Sequence, residues 1–168
     1  MFAGHAAIAT FVKGIRPRIP LVLLVPIAFA PDWIEWIGDG FGYHDRMLSH
    51  SLVSVGIGAT VVAVVYLAVT RSGLDALAVW GTYVSHWAAD FITGHKPTWP
   101  GGPEVGLMLY AHPVWDVIVE SVVVLLCWSV YLRSIPAESR TRAIVWLAPV
   151  GLIGMQIIFA AMQAPTLL

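Results

Sequence analysis

Apolar stretches broken by short polar turns run along the whole chain. The clearest is "LVSVGIGATVVAVVYLAVT", residues 52–70. Its Val, Ile and Thr would favour strands in water, but its length and hydropathy match the roughly 20 residues that a membrane-crossing helix needs. Residues 74–92, 112–132 and 143–162 predict three more such helices, the first of them the more polar. "IPLVLLVPIAFAPDW", residues 19–33, is shorter and contains Pro26. It reaches spanning length only if "WIEWIG" continues it through a kink near Pro31. Residues 3–13 predict a short helix ended by Gly14, followed by the Pro-broken basic turn "RPRIP". The Gly- and Pro-rich stretches 39–46 and 93–106 read as loops. The expected fold is all-α: a polytopic membrane helical bundle of about four spans plus a short N-terminal re-entrant or interfacial helix. Residues 1–168 form a single integral membrane domain in this reading.

Composition strengthens the membrane assignment. Of 168 residues, 58% are hydrophobic and 11% charged, against about 25% charged in soluble domains. A chain this short keeps much of its surface exposed, so lipid is the simplest place for the apolar excess. No dense basic patch marks a nucleic-acid partner. Cys127 is the only cysteine, which excludes an intrachain disulfide. The N-terminal "MFAGHAAIATFVKG" does not read as a signal peptide, because its basic residue follows the apolar stretch.

Charge placement supplies an orientation. Lys13, Arg16, Arg18, Arg71, Arg133, Arg140 and Arg142 fall on one side of the helix plan, and Arg46 and Lys96 on the other. Short cytoplasmic loops concentrate positive residues. Loops 13–18, 71–74 and 133–142 are therefore expected to be cytoplasmic, and loops 38–48 and 94–110 external.

The same plan gathers the polar residues. Asp32, Glu35, His44, Asp45 and His50 lie near the outer ends of segments 19–38 and 52–70. His86 and Asp90 lie in the outer half of 74–92, with His95 in the next loop. His112, Asp116 and Glu120 form a stripe at i, i+4 and i+8 on the following helix. His5 joins them if the first helix runs outward from Lys13, which lifts it roughly 12 Å at about 1.5 Å per residue. Each motif alone has an ordinary explanation. His86–Asp90, one turn apart on one face, serves as well for a packing hydrogen bond. His112 before Pro113 is a plain helix start, Ser49 and Ser51 are helix caps, and His44 and Asp45 fit a solvated loop. Convergence carries the case. Ionisable groups inside a membrane are costly unless they meet water, a partner or an ion. Imidazole and carboxylate donors suit a divalent ion such as zinc, manganese or iron.

In combination and order, Gly4-His5, Pro31-Asp32, "HDRMLSHS" (residues 44–51) and "SHWAADFIT" (residues 85–93) resemble the YdjM-like family. These are inner-membrane-associated, metal-dependent hydrolases often described as LexA-binding. The likeness covers residues 4 to about 100, and weakly "HPVWD" at 112–116. It implies metal-binding roles for His5, Asp32, His50, His86 and Asp90. Glu35 sits one residue later than the family's second aspartate, and "HDR" stands where a histidine-arginine-glycine pattern is usual.

The expected activity is hydrolysis of a phosphoester or lipid-linked ester by metal-activated water at the outer membrane interface. His112 is a further candidate ligand. Glu35, His44 or Asp116 would take the proton, and Arg46 or Lys96 would steady the developing charge. Membrane lipid is the expected surrounding and source of substrate, in a bacterial or archaeal cytoplasmic membrane with the polar site on the extracytoplasmic side. The rival is a small metal-binding protein or transporter with a polar intramembrane path, for which the deep Glu120 is the signature. A third reading is a structural membrane protein with self-satisfied polar pairs.

Overall fold

A computed structural model describes residues 2–43 and 47–163. The described chain is helical throughout its apolar segments, running α1 (Phe2–Ile15), α2 (Leu21–Ala28), α3 (Ala30–Gly40), α4 (Met47–His50), α5 (Leu52–Thr70), α6 (Gly73–Thr93), α7 (Pro113–Leu132), α8 (Ala137–Arg140) and α9 (Ala143–Gln163). Among these, α5, α7 and α9 are long and apolar enough to cross a membrane, and α2 with α3 would make a fourth as one bent unit.

Local chemistry sets the boundaries. Ser51 caps α5, its Oγ accepting from the Ser54 N–H at 3.1 Å. Arg71 ends the helix in the left-handed region at φ 58°, and α6 returns antiparallel. Only Val55 and Ala59 of α5 are buried, so the helix shows an apolar surface nearly all round. In contrast, α6 buries a stripe at helical spacing that includes Asp75, Val79, Thr82, His86, Asp90 and Thr93. It has the length of a span, yet its polar residues keep it outside the set of sufficiently apolar helices. Those residues face protein, where partners offset their polarity.

α1 lies in the middle of the bundle. Its small Ala3, Ala7 and Ala9 are fully or almost fully buried, between a core formed with α2, α5 and α6 and a second one on α7. Small residues let helix backbones approach closely. A Cβ on Gly14 would stand 2.7 Å from the Val130 carbonyl, while the Gly4 N–H meets Glu120. α1 and α7 therefore run parallel and in contact. Gly14→Ala is expected to lower the thermal midpoint in detergent by the equivalent of about 1–3 kcal/mol, the usual cost of overpacking. Gly151→Ala, whose Cβ meets nothing within 4 Å, should leave it unchanged.

One expectation is met with a shift and one needs correction. The expected kink near Pro31 falls at Phe29, where the chain bends by 60° between α2 and α3. Pro31 occupies the first turn of α3, where a missing N–H costs nothing. The loop after α6 also contains a short antiparallel ladder, pairing β1 (Lys96–Pro97) with β2 (Glu104–Val105). Gly106 closes this loop because a Cβ there would lie 1.7 Å from the Gly94 carbonyl oxygen.

At the opposite end, Arg16 approaches Asp75 at 3.9 Å. The end of α1 and the start of α6 thus share a level, as the charge pattern requires of loops 13–18 and 71–74.

Candidate metal centre

Four helices deliver the polar side chains to one place. α6 presents His86 and Asp90 from one face, and α1 brings His5. α3 brings Asp32 and Glu35, and α4 brings His50. The His5 and His86 rings stack at 4.0 Å, and His50 meets His86 edge-on at 5.1 Å. Three overlapping groups have ligand atoms within 4.8 Å of one another: His5–Asp32–His86, His50–His86–Asp90 and Asp32–Glu35–His50.

Two of the histidines are oriented from behind. His86 Nδ1 lies 2.9 Å from the Ala28 carbonyl oxygen. A carbonyl can only accept, so Nδ1 carries a proton and Nε2 is the nitrogen turned towards the cluster. That Nε2 has no hydrogen-bond partner among the described residues. It faces Asp90 Oδ2 at 3.4 Å and Asp32 Oδ1 at 3.5 Å. Two carboxylate oxygens facing Nε2 call for positive charge between them, which a bound cation or a ring proton supplies. His50 is held at both ring nitrogens. Its Nδ1 is held by Ser49 Oγ at 2.7 Å and Glu35 Oε2 at 3.2 Å, and its Nε2 points to Asp32 Oδ1 at 3.0 Å. Outer partners of this kind fix the tautomer and orientation of metal-binding imidazoles. His5 Nε2 completes the ring of contacts, 3.2 Å from Asp90 Oδ1.

Charge balance agrees. Asp32, Glu35 and Asp90 bring three carboxylates, and the ammonium of Lys96, 2.8 Å from Asp90 Oδ2, supplies one positive charge. The carboxylates thus outnumber the lysine by two at the rim of an apolar bundle, a surplus that a divalent cation would neutralise. A cavity of about 390 Å³ opens beside the cluster, lined by His5, Asp32, His50, Asp90, Lys96 and Tyr110 among others. Burial pushes the Tyr110 phenol above its ordinary pKa.

Comparison with protein-family models, curated proteins and solved structures finds no match. The reading of the site therefore stands on its own geometry.

Other residues singled out from the sequence lie elsewhere. His112 is exposed at the N-cap of α7 and joins none of the three groups. Its place is the one Pro113 dictates, a helix start. Asp116 is buried, and its Oδ2 accepts from Gln156 Nε2 at 2.5 Å, so it serves the α7–α9 contact and not the cluster. His44, Asp45 and Arg46 lie outside the described residues. Glu35 abuts the rear nitrogen of His50, and His95 lines the cavity. Ser49, read as a cap, instead holds His50, and Ser51 does the capping. The Ala28 carbonyl and Gln156 carried no sequence signal, since nothing in the chain announces which distant backbone oxygen or amide a buried side chain will meet.

Proposed function

We propose that this chain is an integral membrane protein that binds a divalent ion, zinc, manganese or iron, through His5, Asp32, His50, His86 and Asp90. We further propose that it hydrolyses a phosphoester or ester of a lipid or lipid-linked substrate. The observation that carries the metal reading is the convergence of three ligand groups on His86 and His50, with the His86 Nδ1–H committed to Ala28 and its Nε2 turned to two carboxylates. The membrane reading is supported by α5, α7 and α9 and by exposed apolar side chains such as Ile57, Val61, Leu126 and Ile158. Patches of that size are unusual on soluble monomers. With the basic turns inside, the cluster lies on the extracytoplasmic side. The motif likeness to YdjM-like hydrolases points the same way.

A divalent ion held there would supply Lewis acidity, polarising a phosphoryl or carbonyl oxygen and acidifying water. The chain's own groups provide the rest. Glu35, which lines the cavity beside His50, is placed to take a proton. Lys96, paired with Asp90 at the cavity, brings positive charge near a phosphate. The deepest member of a transport path would be Glu120, which instead accepts a hydrogen bond from the Gly4 backbone.

The test is turnover by the full chain in vesicles, loaded in turn with zinc, manganese and iron, on a fluorogenic phosphodiester and on a short-chain phospholipid. Hydrolysis that depends on the ion and falls at least 100-fold in His50→Ala is expected. Stoichiometric metal with no turnover of any phosphoester or carboxylic ester would leave a metal-binding protein and remove the hydrolase.

A further inference from the structure

We infer that α3 lies flat in the outer headgroup layer, as an interfacial helix with its apolar face in lipid, and does not form the upper half of a span. The inference rests on the membrane reading given above. Asp32 and Glu35 both touch His50, the residue just before the cap of α5. Asp32 also reaches His86 in the outer part of α6. The first turn of α3 is thus already level with the outer ends of α5 and α6. An upright α3 would carry the eight residues from Asp32 to Gly40 about 12 Å further out, at roughly 1.5 Å each. That would lift its apolar residues beyond the ends of the spans and into water. The 60° bend at Phe29 takes α3 out of line with α2 and removes part of that rise.

The sequence of α3 suits such a position. Asp32, Glu35 and Asp39 recur at i, i+3 and i+7 on one face. Trp33, Ile34, Trp36 and Ile37, with Phe41 just past its end, are between 49% and 80% exposed. Aromatic rings of this kind favour the headgroup level, and an amphipathic helix buries its apolar face there. Two carboxylates of the cluster therefore ride on a helix seated in lipid.

The experiment uses nitroxide labels at Ile34→Cys, Ile37→Cys and Phe41→Cys, singly, in a Cys127→Ser background in lipid vesicles. All three side chains are more than half exposed, so labelling leaves packing intact. Collision with oxygen and with a water-soluble nickel chelate reads depth, and Val61→Cys in mid-α5 serves as the reference. A flat helix gives one shallow depth for 34, 37 and 41. A steady change of about 10 Å from 34 to 41, at about 1.5 Å per residue, or full access to nickel at all three, overturns the inference while Val61 still reads deep. Nickel access at Val61 itself overturns the membrane reading, and the inference with it.

Discussion

Replacing His86 and Asp90 together by alanine is expected to abolish stoichiometric metal binding. Both belong to the group that also includes His50, and His86 shares a second group with His5 and Asp32. The double variant therefore leaves no complete group except Asp32–Glu35–His50, which lies at the more exposed edge. Losing an outer-sphere partner alone costs 10–100-fold in affinity, so losing two inner donors should exceed about 100-fold. Metal content after dialysis of detergent-purified protein measures this directly. Thermal unfolding adds a second readout. An ion at about 100 times its dissociation constant stabilises a native state by about 2.7 kcal/mol. A chelator should therefore lower the midpoint of the wild type and leave that of the variant unmoved. Absence of metal from both proteins after reconstitution with zinc, manganese and iron would refute the metal centre.

The legible part of this site was the part written in periodicity. His86 and Asp90 are one turn apart, and Lys13 at the far end of α1 lifts His5 to their level. His50 sits just before the apolar run of α5. Hydropathy and the positive turns are enough to bring those residues together. Less legible was whatever depends on where a side chain turns within its helix or on what it meets across the bundle. Asp116 continues the stripe of His112, yet Gln156 on α9 draws its carboxylate away. His112 has the right residue type and level, but as the residue before Pro113 it ends up exposed. Pro31 signalled the kink to within two residues: the chain bends at Phe29, since a proline sits at no cost in the first turn of the next helix. The acceptor that fixes His86 is a backbone carbonyl, a group every residue has.

Glu120→Ala is expected to destabilise the protein and to weaken the metal site, whereas Glu120→Gln should do neither to a comparable degree. Glu120 is fully buried on α7, and its Oε2 accepts from the Gly4 N–H at 3.1 Å. The first N–H groups of a helix have no partner within it, and α1 opens among apolar helices where water is scarce. Glu120 is thus the acceptor that makes a buried helix start tolerable. Alanine leaves a buried donor unsatisfied, at a cost of about 1–3 kcal/mol. His5 follows Gly4 directly, so a first turn that loses its anchor displaces a ligand. Glutamine keeps a carbonyl oxygen in the same place and can accept the same hydrogen bond. The two variants therefore separate the readings of this residue. A carboxyl that carries protons or ions along a transport path is lost equally in alanine and glutamine. A carboxyl that caps α1 is replaced by glutamine, which should retain most of the wild-type metal content and thermal midpoint while alanine loses both. Equal loss in the two would return Glu120 to the transport reading and detach it from the metal centre.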